Sequence, residues 1–132
     1  MTATLLPSAA VVLVAWAKGN AALAAIHGGR VGTKLNATLP AIRVQRIGGT
    51  PVETYEDQPI LQVECWAADE GTADLLARTV VAALPTARGE YPTGRVYTYS
   101  IESGPFWSPD DPTLSNNSRY ILTVRLLTAP PG

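Results

Sequence analysis

The apolar positions change rhythm along this chain, and each rhythm predicts an element. Residues 9–17 are continuously apolar and end at Lys18. Pro7 and Ser8 suit a helix start, and Gly19 and Asn20 suit its end. Asn20 then caps a shorter helix over 21–27, which Gly28 and Gly29 stop. Residues 30–35 predict a short strand. Pro40 opens another, in which Ile42 and Val44 alternate with Arg43 and Gln45. Gly48-Gly49 reads as a turn pair, followed by a polar loop over 50–58. Residues 60–67 alternate again: Leu61, Val63 and Cys65 share one face, and Gln62, Glu64 and Trp66 the other.

Period two gives way to period 3.6 over 69–84, where Ala73, Leu76, Ala77, Val80 and Leu84 fall on one helical face. Asp74 and Arg78, four apart, are placed to pair, and Pro85 stops the helix. Two more strands follow, 95–102 and 119–127. In the second, Tyr120, Leu122, Val124 and Leu126 point one way. These two strands are expected to pair as an antiparallel hairpin around a connection over 103–118. Connections of that length are commonly functional, and this one carries Phe106 and Trp107. The expected architecture is α+β: a single domain over 1–132, with N-terminal helices, a mostly antiparallel four- to five-stranded sheet and one long helix packed on it.

Composition adds constraints. Of 132 residues, 46% are hydrophobic and only 16% charged, a light charge load that suggests surface covered by a partner. An all-round apolar first helix, suited to packing on its own sheet and on a neighbour, agrees. At nine residues the run is too short to span a membrane, which needs about 20, and no basic residue precedes it as in a signal peptide. Net charge is -1, without runs of Lys or Arg, so specific nucleic-acid binding is not expected. A single cysteine excludes an internal disulfide.

Candidate chemistry is sparse. His27 stands alone beside a helix end and reads as a capping or surface histidine. Cys65, mid-strand on the apolar face, reads as a small buried hydrophobe. No spacing suits a metal site. The glycine-rich stretch 28–34 lacks Gly-Lys-Ser/Thr and the strand-then-helix context of a phosphate loop. Two acidic groups remain, Glu53/Glu56/Asp57 and Asp110/Asp111. Paired carboxylates can serve acid–base chemistry or hold a cation; here both lie in expected loops and read first as solvated charge. Phe106 and Trp107 suit either an interface, where large aromatics are enriched, or the domain's own core.

One resemblance spans about residues 7–128. It is carried by the opening helix, by Arg30-Val31, and by Leu39-Pro40-Ala41-Ile42-Arg43-Val44 with Arg46-Ile47-Gly48-Gly49. Asp57-Gln58-Pro59-Ile60 leading into Val63-Glu64-Cys65-Trp66-Ala67 follows, then the helix with Ala73, Leu76 and Ala77, and the final strand from Ser118-Arg119-Tyr120. In these the chain resembles the tail terminator proteins of long-tailed bacteriophages, of the type found in phages of actinobacteria. The Ala-rich stretch 21–27 departs from that pattern.

The resemblance implies a virion structural protein at the head–tail junction, assembled in the host cytoplasm. Six copies form a ring that caps the tail tube and ends its polymerisation. Its partners are further copies of itself, the tail tube protein and head-completion or neck proteins; no membrane, catalysis or cofactor is implied, and DNA passes through the centre. On that basis Phe106, Trp107, Glu53, Glu56, Asp57, Asp110 and Asp111 are candidate interface residues, and some acidic ones are expected to line the channel, where negative charge keeps DNA from sticking. Another head–tail connector, a monomeric module binding a peptide or small ligand, and an enzyme stay open as alternatives.

Overall fold

The computed structural model describes residues 5–35, 38–108 and 117–132. Its organising element is the strand whose alternation was clearest. Leu61, Val63 and Cys65 are all at most 2% exposed and face the core. This strand is β3 (Glu56–Ala67), and both its edges are paired antiparallel. On one side lies β2 (Ala41–Glu53), with Ile42 opposite Cys65 and Val44 opposite Val63. On the other lies β6 (Ser118–Ala129), with Leu122 opposite Val63 and Val124 opposite Leu61. Directly opposed residues share a face, so these apolar rows make one continuous surface. β5 (Gly94–Trp107) pairs antiparallel with β6, as expected for the predicted hairpin.

Two short strands complete the sheet: β1 (Val31–Gly32) parallel to β2, and β4 (Gly89–Tyr91) antiparallel to β5. The order is β1-β2-β3-β6-β5-β4. The sheet is thus six-stranded and mixed, not four- to five-stranded. At two and three residues, β1 and β4 are too short to show period two, and only Val31–Gly32 of the expected strand 30–35 is extended.

The helices cover one face. α3 (Glu70–Ala83) starts where Asp69 accepts the Thr72 amide at 2.8 Å, and buries Ala73, Leu76, Ala77 and Val80. Removing Leu76 and Val80 from water contributes about 2 kcal/mol each. Pro85 stands in a 3-10 turn, Leu84–Ala87, that ends the helix. Asp74 and Arg78 pair at 2.9 Å.

α1 (Ala9–Gly19) is capped by Ser8 and buries Ala9, Val12, Leu13, Trp16 and Ala17, leaving Val11 exposed. α2 (Ala21–His27) turns away at 88°. Among the described residues, no single helix is long and apolar enough to cross a membrane. Side chains from all three helices join one core with Ile42, Val44, Leu61, Val63, Leu122, Val124 and Leu126.

Two predicted loops are strands. Gly48-Gly49 is a bulge within β2, where the register shifts between Arg46 and Gly48, and not a turn. Gly49 has φ +85, and a Cβ there would stand 2.1 Å from the Gln58 carbonyl oxygen. The chain therefore continues to Glu53, reverses at Thr54 and Tyr55, and returns from Glu56. Likewise the connection 103–118 begins as strand, because β5 runs on through Trp107.

Candidate functional site

With the helices on one side, the alternate residues of β2, β3 and β6 form an open face. Its centre is Glu64, fully buried despite lying away from the core. Five donors converge on its carboxylate: Arg43 Nε at 3.0 Å and Nη2 at 2.7 Å, Gln62 Nε2 at 3.2 Å, Trp66 Nε1 at 3.0 Å and Arg119 Nη1 at 3.3 Å. Burial alone pushes this carboxyl upward. The hydrogen bonds from Arg43 and Gln62 and the Arg43 charge outweigh it and hold Glu64 below its ordinary value.

Arg119 reaches further. Its guanidinium lies 5.2 Å from the Trp66 ring centroid, and its Nε donates to the Ser108 carbonyl at 2.9 Å. The cluster thereby pins the end of β5. With both oxygens saturated, Glu64 is a clamp and not a free base. Sequence placed Glu64 on the polar face and missed its burial; the signal was two arginines, Arg43 and Arg119, on neighbouring strands.

Glu53, Glu56 and Asp57 do not share one environment. Glu53 and Glu56 stand opposite each other at the tip of the β2–β3 hairpin. The six residues 50–55 are all exposed, so the hairpin forms an arm; Val52 and Tyr55 are 47% and 63% exposed on it. Asp57, by contrast, is buried at the arm's root. It accepts from both terminal nitrogens of Arg46, Nη1 on Oδ2 and Nη2 on Oδ1 at 3.0 Å. Its carboxylate belongs to an internal ion pair, not to a solvated loop.

Between the arm and the segment 129–132 lies an open cleft of about 440 Å³, lined by Glu53, Tyr55, Glu56, Arg95 and Tyr97. Arg95 is paired with Glu90 at 2.8 Å. Among the described residues, no group of three His, Cys, Asp or Glu is placed to hold a metal ion.

Phe106 and Trp107 lie at the opposite end of the sheet. They are strand residues, opposite Ile121 and Tyr120, so they point to opposite faces. Neither plugs the core: they are 44% and 53% exposed. Asp110 and Asp111 lie outside the described residues.

His27 is not a surface residue. It is fully buried; its Nδ1 accepts the Gly29 amide and its Nε2 donates to the Ala17 carbonyl, both at 2.9 Å. It ties the end of α2 to α1. The overlooked signal was Leu23, one turn earlier on the same buried face. Cys65 is buried as expected, and burial followed by the nearby Glu64 charge pushes its thiol far up.

No protein-family model and no curated protein matches this chain. Its own surface is therefore the guide to what it does. β4 covers only Gly94, Arg95 and Val96 of β5, and β1 only Ile42 and Arg43 of β2. Among the described residues, the rest of those two edges of β2 and β5 has no strand partner. Ten large hydrophobic side chains are exposed among the described residues; seven of them (Ile47, Val52, Tyr55, Tyr97, Ile101, Phe106 and Trp107) lie along these two strands and the arm's turn. Bulges in both strands, with Pro51 and Pro105, keep the edges from pairing indiscriminately. Exposed apolar side chains are thus concentrated on the bulged edges of β2 and β5 and on the arm.

Proposed function

We propose that this protein is a ring-forming structural protein of the virion, a tail terminator that caps the tail tube at the head–tail junction. The observation that carries the assembly reading is the concentration of exposed apolar side chains on β2, β5 and the arm. A ring subunit meets its two neighbours through different surfaces, a heterologous interface that closes. It must also present surface to the tube below and the neck above. One sheet with two unlike edges, along β2 and β5, and a projecting arm supplies such surfaces. The identity of the assembly rests on the resemblance to tail terminators. The channel role proposed for acidic residues falls to Glu53 and Glu56, since Asp57 is engaged by Arg46.

Native mass spectrometry and negative-stain microscopy test this, with the protein alone and mixed with tail-tube protein. The expected result is a hexameric ring, free or on tube ends. A strict monomer at every concentration, with no affinity for tail tubes, overturns it. Saturable capture of a peptide by such a monomer would favour a peptide-binding module built on the same sheet edge.

A further inference from the structure

Six of the described cations are in ion pairs with carboxylates: Arg43, Arg46, Arg78, Arg95, Arg119 and Arg125. Of the remaining four, Lys18, Arg30 and Lys34 line one pocket, of about 270 Å³, with Gly29, Val31, Ala41 and Ile42. No carboxylate lines it. Lys18 sits in the last turn of α1, where a cation is favourable, and Arg30 Nε donates to the Pro40 carbonyl at 2.8 Å. Neither contact neutralises charge, and Lys34 has no such local role among the described residues. Three like charges thus gather around one concavity, with Lys18 and Lys34 exposed and open to an incoming carboxylate.

The acidic counterpart lies at the arm's tip, beside a cleft whose one cation, Arg95, is already paired with Glu90. Glu53 and Glu56 form no ion pair among the described residues, and they oppose each other directly across the arm. Like charges in that arrangement are destabilising. Both carboxylates leave the same face of the hairpin tip, beside the exposed Tyr55. The two patches are opposite in charge, yet they cannot meet within one chain. They lie at opposite ends of β2, thirteen residues long, which puts them roughly 40 Å apart.

We propose that the arm of one copy docks its Glu53 and Glu56 into the Lys18–Arg30–Lys34 pocket of a second copy. The two surfaces differ, so the contact is head-to-tail and repeats from copy to copy. This rests on the assembly reading above and names the contact that joins neighbours. Charge complementarity fixes the order of the partners, and Val52 and Tyr55 supply the apolar contact beside it.

The test uses the full chain in an equal mixture of light and heavy-isotope copies. A carbodiimide couples carboxylates directly to amines, and peptide mass spectrometry identifies the joined pairs. The expected products link Glu53 or Glu56 to Lys18 or Lys34 between light and heavy copies. Two charge-reversed proteins accompany it, one carrying Glu53→Lys with Glu56→Lys and one carrying Lys18→Glu with Lys34→Glu; circular dichroism checks that both are folded. Each alone is expected to self-associate roughly tenfold or more weakly than wild type. Mixed together they recover association, since each now offers what the other lacks.

Wild-type copies that associate while both reversed proteins associate equally well overturn the docking and leave the ring proposal standing. A wild type that is monomeric throughout, even with tail tubes, overturns both. Inorganic phosphate bound in the pocket, with association indifferent to both reversals, also overturns the docking.

Discussion

Replacing Glu64 with Gln removes one charge and keeps the side chain's size. The carboxylate accepts from five donors, three of them on Arg43 and Arg119. An amide oxygen can serve some of these, but the new NH2 group faces donors and leaves guanidinium nitrogens unpaired. Hydrogen bonds to charged groups contribute about 1.5–3 kcal/mol each. Arg43 is 28% exposed, so water recovers part of the loss, whereas Arg119 at 12% recovers less. The expected loss at pH 7 is about 2–3 kcal/mol, or about 10 °C in Tm for a domain of this size.

The pH dependence separates charge from shape. Glu64 titrates lower in the folded chain than its ordinary 4.5. Its contribution is therefore fully present above that value, and is lost as pH falls towards and through the folded value. Urea unfolding followed by circular dichroism should show wild type and Glu64→Gln well separated at neutral pH and converging below about pH 4.5. A difference under about 0.5 kcal/mol at pH 7, within the range of ordinary surface changes, would refute the clamp. So would a gap equally large at pH 3, which would make the defect steric.

Gly49→Ala should cost about 2 kcal/mol or more in urea unfolding, because φ +85 and a 2.1 Å approach to the Gln58 carbonyl leave no room; a neutral result would mean that the bulge is absent. Cys65 should react with a thiol reagent only as fast as the chain unfolds, since burial pushes its thiol far up; rapid labelling in native buffer would contradict its placement. Trp107→Ala should change monomer stability by less than about 0.5 kcal/mol, given 53% exposure, while weakening ring or tube assembly. Equal loss of both, read by urea unfolding and native mass spectrometry, would place Trp107 in the core.

The core was legible because burial imposes a period. Leu61, Val63 and Cys65 on β3, and Ala73, Leu76, Ala77 and Val80 on α3, are where alternation and helical spacing put them. The arm was not legible, because a hairpin exposed on both faces has no apolar side to repeat. Residues 50–55 look like a polar loop for that reason, and Gly48-Gly49 like its first turn. β5 past Glu102 fails similarly: Ser103 and Gly104, with three register irregularities along the strand, scramble its period. His27 and Glu64 were hidden by another cause. A polar residue can be buried when its partners come from elsewhere in the chain, as the Ala17 carbonyl, Arg43 and Arg119 do here, and no local window contains them.

The buried polar groups sit at informative places. Arg46 and Asp57 are paired at the root of the arm, where β2 and β3 leave the body of the sheet. Glu64, through Arg119, holds Ser108 immediately after Trp107, where β5 ends. Each exposed segment proposed to meet a partner is thus anchored at its base by charge-assisted hydrogen bonds. Such pairs contribute little net stability compared with well-packed apolar side chains of the same volume, so stability alone does not account for them. What they supply is fixed direction. A projecting hairpin free to swing would lose its freedom on docking and weaken each contact accordingly, whereas one already held pays only for its tip. In a ring every subunit repeats the same contact, so any error in the arm's direction would be repeated at every interface. For the ring proposed above, anchors at both roots are what such a repeated contact would require of a subunit built on a single small sheet.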